Sequence, residues 1–146
     1  MEGLPEWERG TPGVLCVDGP HPIPVTTITR CGGDRVLFSL GRERETLRRL
    51  RAEPRVALCV LGKGIAFTAH GYAYELSDEL ESVDTVVAVE LRVERVQDHL
   101  ADGRTEMLDG ATWRWTEKEH GENEDAIVAE LKRLGQQGEG SPEAGS

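Results

Sequence analysis

The chain has 146 residues, a one-domain length that can bury a core without disulfide or metal staples. Apolar residues make up 38% and charged residues 30%, the balance of a soluble globular protein, and no stretch approaches the roughly 18 to 20 continuous apolar residues of a membrane helix. A net charge of −10 argues against general binding to nucleic acid or to an anionic membrane, both of which need excess positive charge.

Met1 to Gly10 is acidic and contains Pro5 and Trp7, unlike a signal peptide. Gly13 to Val17 reads as a short buried strand closed by the turn Asp18-Gly19-Pro20. Pro22 to Arg30 is β-branched and extended and reads as a second strand, its prolines placed at the entry or on an edge because they cannot donate to a ladder. Cys31-Gly32-Gly33-Asp34 is a hairpin turn, and Arg35 to Leu40 returns as the third strand. Gly41 to Glu53 reads as a short helix with Leu47 and Leu50 on one face, ended by Pro54.

Val56 to Leu61 and Ile65 to Leu76 are strands joined at Gly62-Lys63-Gly64, the second interrupted by a bulge or bend at Gly71. Thr85 to Val96 alternates, Val89, Leu91 and Val93 opposing Glu90, Arg92 and Glu94. Ala111 to Thr116 reads as a last short strand carrying Trp113 and Trp115. Asn123 is a suitable N-cap for a helix over Glu124 to Leu134 with Gly135 as its stop. The pattern predicts one mainly β domain over residues 1–135, a six- to seven-stranded barrel with a short helix after strand 3 and a C-terminal helix, followed by a solvated tail at 136–146.

Charge is concentrated in one place. Residues 30 to 55 hold eight arginines against four acids, a basic island pointing to one small anionic ligand. At helical spacing Arg44, Arg48 and Arg51 of the predicted helix, with Arg55 just past its end, fall on one stripe, where like charges repel unless an anion sits among them. A helix N-terminus also offers unpaired N–H groups, with Ser39, Gly41 and Arg42 where such an anion would dock. The plainer alternative is a solvated face with Glu45 paired to Arg48 or Arg49.

Other features carry less. Gly62-Lys63-Gly64-Ile65-Ala66-Phe67 lacks the third glycine of a dinucleotide fingerprint and runs into a strand. The histidines at 21, 70, 99 and 120 are scattered, without zinc spacing, although His70 shares a strand face with Thr68 and Tyr72 and could line a pocket. Cys16, Cys31 and Cys59, an odd count without a Cys-x-x-Cys pair, read as reduced thiols. Thr26-Thr27-Ile28-Thr29 is either an ordinary β-forming run or an edge whose backbone can bond a flat heteroaromatic ring. Trp113 and Trp115 are either core or a cofactor lid.

The succession Pro24-Val-Thr-Thr-Ile-Thr29, Gly33-Asp-Arg-Val-Leu-Phe-Ser-Leu-Gly41 and Glu45-Thr-Leu-Arg-Arg-Leu-Arg-Ala-Glu-Pro-Arg-Val-Ala-Leu58 resembles the pyridoxamine 5′-phosphate oxidase-like, FMN-binding split β-barrel superfamily. Leu47 to Leu58 is similar to that family's N-L-R-x-D-P-R-V-A-L run, and Phe67 to Ala73 to its following strand. The likeness covers about residues 10 to 100 and is nearest the flavin/deazaflavin branch. It implies a homodimer with cofactor sites at the subunit interface and the isoalloxazine against Val25, Thr26, Thr27 and Ile28, while the reduced thiols and the leading segment point to the cytoplasm. Ser39 and the helix from Gly41, with Arg42, Arg44, Thr46 and Arg48, would receive the phosphate, and partner-chain residues would cover the ring; from the residue reading above, His70, Trp113 and Trp115 are added as candidate contacts.

One departure stands out: Thr46 occupies the position of a frequent phosphate-binding lysine. A threonine donates one bond and no charge, so Arg42 or Arg44 would have to replace it. The function implied is an FMN- or F420-dependent oxidoreductase acting on a small conjugated substrate. The alternative is a non-catalytic flavin or heme carrier on the same barrel.

Overall fold

The structure is a computed structural model that describes residues 2–76, 80–81 and 83–139. Seven antiparallel strands form one sheet in the order β2-β1-β5-β6-β7-β4-β3. They are β1 (Gly13–Val17), β2 (His21–Val25), β3 (Thr29–Arg30), β4 (Arg35–Gly41), β5 (Arg55–Gly62), β6 (Ile65–Glu75) and β7 (Val86–Asp98). Two helices accompany them, α1 (Glu45–Ala52) and α2 (Lys118–Glu139).

The two edge strands of this order, β2 and β3, are consecutive in the chain and joined only by residues 26–28. The path from Val25 to Thr29 can reach at most ~14 Å, whereas a flat seven-stranded sheet would set its edges ~29 Å apart. The sheet must therefore curl until its edges meet. No ladder pairs β2 with β3, so the barrel is split at that seam.

Alternation sorts the side chains. Leu15, Phe38, Leu58, Phe67, Val89 and Leu91 point inward and are fully buried. α1 sets Leu47 and Leu50 into the same core. It lies at the Ala73 end of β6, where the Ala73 N–H donates to the Pro54 carbonyl at 2.9 Å. At the Phe67 end, ~20 Å along the strand, Trp7 packs its ring 5.7 Å from Phe67. A second cluster lies outside the barrel, where Ile127 and Leu131 of α2 cover Leu37 of β4 and Ala88 of β7.

On that outer face Glu90 is buried to 5% exposure and lies 3.5 Å from Arg35 and 2.7 Å from Arg92. Its hydrogen bond and charge raise the Arg92 pKa. Arg35 also donates to the Gly135 carbonyl of α2 at 2.7 Å, which fixes the helix to β4.

Several sequence expectations are corrected here. The Pro22–Arg30 run is two strands with a break at the seam, because its two ends pair with opposite edges of the sheet. Residues 111–115 are irregular, not a strand; their alternating indoles are placed by loop contacts. The first helix begins at Glu45, so Gly41 ends β4, Arg44 is the helix N-cap in extended conformation, and Arg55 belongs to β5.

The last helix runs from Lys118 to Glu139, leaving Asn123 in its interior and making residues 136–139 helical; 140–146 of the expected tail lie outside the described residues. Gly135 is no stop either. A Cβ there would sit 2.2 Å from Cys31 Sγ, so glycine is what lets α2 approach the β3–β4 hairpin.

The expected bulge is present, with the register shifting between His70 and Gly71. There a Cβ would lie 1.9 Å from the Arg92 carbonyl oxygen. We expect Gly71→Ala and Gly135→Ala each to destabilise the fold by about 1–3 kcal/mol. Gly71→Ala should cost more because its obstacle is backbone, a ranking read from urea midpoints.

Candidate functional site at the barrel seam

The seam has a defined hydrogen-bond economy. Within residues 26–28 the chain leaves the β2 ladder and has not yet joined β3, so its polar groups need other partners. The Trp7 indole donates to the Ile28 carbonyl at 3.1 Å. The Thr29 hydroxyl donates to the Thr27 carbonyl at 2.9 Å, and the Thr26 hydroxyl donates to Glu124 of α2 at 2.7 Å. Thr27 Oγ1 accepts from the Ser39 N–H at 2.9 Å and lies 3.0 Å from the Ser39 hydroxyl. The amide N–H groups of Thr26, Thr27 and Ile28 have no partner among the described residues. Thr27 and Ile28 are buried, at 7% and 4% exposure, and Thr26 is half-buried.

From Thr27 the line continues along β4. Ser39 and Gly41 share its outer face, ~7 Å apart, and the Arg44 side chain lies over Gly41, where a Cβ would meet its Cγ at 3.2 Å. Arg44 is exposed and its guanidinium has no partner among the described residues. One turn on, exposed Arg48 makes one long bond, 3.3 Å, to the Glu43 carbonyl.

The remaining arginines of the predicted stripe have other work. Arg49 pairs with Glu45 at 3.3 Å, as the plainer alternative anticipated. Arg51 pairs with Glu75, and Arg55 lies over the Tyr72 ring at 4.7 Å. Arg42 holds the strand end to the Asp84 and Thr85 carbonyls. Thr46, the substituted lysine position, is buried at 2% exposure, and its hydroxyl lies 3.2 Å from His21 Nε2. It is turned into the protein. Glu45 lies in the first turn of α1, where it offsets the positive helix end.

The structure thus gathers Val25, Thr26, Thr27, Ile28, Ser39, Gly41, Arg44 and Arg48 along one side of the barrel and separates His70 from them. Ser39 faces Ala88 on β7 and His70 faces Arg95, seven residues and ~23 Å along that strand. His70 lies instead 3.4 Å from Gln97. Trp113 and Trp115 lie on the loop before α2, where the Trp113 indole donates to the Gly10 carbonyl at 2.7 Å. Among the described residues no three His, Cys, Asp or Glu side chains gather as a metal site, and no helix is long and apolar enough to cross a membrane.

Trp7, Glu124 and His21 were not singled out from sequence. Trp7 had a signal, being the one large aromatic in an otherwise polar leading segment. Glu124 and His21 had none, because their partners lie 98 and 25 residues away.

No family profile matches the sequence, and no curated protein matches it. Solved structures do. A protein of Listeria innocua provisionally described as a pyridoxamine 5′-phosphate oxidase is 19% identical with a TM-score of 0.51, over 61% of this chain and 88% of the other. A second of the same provisional description, from Lactobacillus delbrueckii, is 16% identical with a TM-score of 0.52, over 66% and 94%. An F420 reductase is 16% identical with a TM-score of 0.50, over 64% and 98%. With its curled seven-stranded sheet and open seam, the chain is a mainly β split-barrel protein. Its fold is that of these solved structures, two of which are provisionally described as pyridoxamine 5′-phosphate oxidases.

Because Trp7 satisfies a seam carbonyl, Trp7→Phe should leave that acceptor unpaired and lower stability by about 1–2 kcal/mol. The check is equilibrium urea unfolding, with Trp7→Tyr as a comparison that keeps an aromatic ring but relocates the donor.

Proposed function

We propose that the protein is a flavin-type oxidoreductase, with FMN or F420 as cofactor, acting on a small conjugated substrate. The observation that carries this reading is the row of three unpartnered amide donors at residues 26–28, continued by Ser39, Gly41 and Arg44. A flavin ring presents several acceptors along one edge, and an unladdered seam is a place in an antiparallel barrel where backbone N–H groups are left for them. Structures of the same fold that include an F420 reductase support the same class. When bound, the cofactor supplies the hydride or electron chemistry. The chain's own residues would orient the ring through the seam amides and hold the phosphate with Arg44 and Arg48. Ser39 keeps the Thr27 hydroxyl in place.

The structure narrows the anion assignment. Thr46 is spent on His21, so the charge a lysine would bring has to come from Arg44, whose forked guanidinium suits phosphate. The seam and its neighbours Ser39, Gly41 and Arg44 contain no imidazole, thiolate or thioether to ligate a heme iron, which favours flavin over heme.

The proposal includes a cytoplasmic homodimer. Val14, Leu61 and Tyr74 stand 41%, 48% and 47% exposed on β1, β5 and β6, apolar surface that a second copy would cover.

The test is spectroscopic. Incubated with FMN and with F420, then desalted, the protein should retain the absorption of one of them and bleach with a reductant. Protein that stays colourless with both overturns the reading. Arg44→Ala/Arg48→Ala should weaken cofactor affinity roughly ten- to a hundredfold, the loss of one or two charge-assisted bonds. Unchanged affinity would remove the phosphate from α1. Sedimentation should give twice the 16.1 kDa chain mass.

A further inference from the structure

A second feature owes nothing to the seam amides or to the arginines. The leading segment around Arg9 and Gly10, the β5–β6 turn, the loop at 109–115 and the first turns of α2 enclose a cleft of about 1220 Å³. Ligand pockets commonly hold ~300–1,000 Å³, so this one has room for a small organic molecule and its water. Trp113 and Trp115 stand in it at 39% and 45% exposure. Tryptophan is highly buried on average, and two half-exposed indoles on one irregular loop are an expensive way to cover a surface.

Both rings have partners. The rings lie 5.8 Å apart with planes at 86°. Trp113 is fixed through its N–H to the Gly10 carbonyl, and the His120 ring lies 5.4 Å from Trp115. The two rings form an aromatic corner.

Charge selects the kind of ligand. The cleft is lined by seven carboxylates against four Lys and Arg side chains. Two of the four are occupied, Arg9 by Asp125 and Lys118 by Glu122 at 3.8 Å. Lys63 and Arg114 are left to face five carboxylates, of which Glu124 is bonded to Thr26, Glu117 lies 3.8 Å from His120 and Asp109 accepts from the Gly110 N–H. Indole faces attract cations through the ring quadrupole, and a surplus of carboxylate around them attracts the same sign and repels anions.

We propose that this cleft is a binding site for a small organic ammonium ion, seated against the Trp113–Trp115 corner. The site is chemically opposite to the seam, which collects donors and arginines for an anionic cofactor. The two adjoin through Trp7 and Glu124, which line the cleft and also hold the Ile28 carbonyl and the Thr26 hydroxyl.

Isothermal titration calorimetry of the full chain with phenyltrimethylammonium, and separately with benzoate, tests this. One saturable site is expected for the cation and none for the anion, with affinity falling as sodium chloride rises. Trp115→Ala should weaken the cation at least fivefold, with an unchanged circular dichroism spectrum. Trp115→Leu provides the same test if the alanine variant is unstable. No saturable heat with the cation, equal binding of benzoate, or full affinity in a folded Trp115 variant overturns the proposal. The titration uses protein without flavin, so its outcome and that of the cofactor test are independent.

Discussion

The structure depends on one short tether. Residues 26–28 join the two edge strands of a seven-stranded sheet, and three residues cannot reach across that sheet unless it curls. Curling places Leu15, Phe38, Leu58, Phe67 and Val89 inside a closed core. It also leaves the two ends of the barrel open, and these are filled locally by Leu47 and Leu50 of α1 at one and Trp7 at the other. Burying that apolar interior is the main term favouring the fold, and the tether decides the shape in which it is buried.

The same tether creates the site. A chain that crosses from one sheet edge to the other must leave a ladder, and each residue in transit carries an N–H and a C=O that the ladder no longer serves. Trp7 and Thr29 satisfy the carbonyls of Ile28 and Thr27, while the hydroxyls of Thr26 and Thr27 are engaged by Glu124 and Ser39. The amides are left over. A donor row is therefore not added to the barrel; it is what barrel closure by so short a link leaves behind. α2 braces the seam from outside, through Ile127 and Leu131 on Leu37 and Ala88 and through the Glu124–Thr26 bond.

How much of this could be read in the sequence follows the range of the interactions. Local signals were legible: the hairpin at Cys31–Asp34, the turn after Gly62, the bulge at Gly71 and the paired leucines of α1. Features set by distant partners were not. Pro22 to Arg30 looks like one strand because β-branched residues suit either side of the break, and only the pairing of Val25 with Gly13 and of Thr29 with Leu37 divides it. Trp113-Arg114-Trp115 has strand-like alternation, but no neighbouring strand takes it up. Gly135 looks like a helix stop and serves instead as the contact point for Cys31. Of the candidate site residues, the seam, Ser39, Gly41 and Arg44 fell together because they are close along the chain or across one hairpin. His70 did not, because a strand face specifies direction and not position along the barrel.

The arginine island shows how composition can overstate the charge that a folded chain leaves available. Eight arginines against four acids in residues 30 to 55 imply an anion, yet most of that charge is consumed within the chain. Arg35 neutralises buried Glu90 and donates to the Gly135 carbonyl within α2, Arg49 and Arg51 pair with Glu45 and Glu75, and Arg55 covers Tyr72. Exposed pairs of this kind contribute little each, but in the Arg35–Glu90 pair Glu90 is buried and Arg35 only partly exposed, and the pair joins β4, β7 and α2. Arg44 is left, with Arg48 a turn away, beside the glycine that ends β4. The anion site proposed above is smaller than the island, and it rests on a guanidinium without a partner among the described residues and on a row of amides more than on net positive charge.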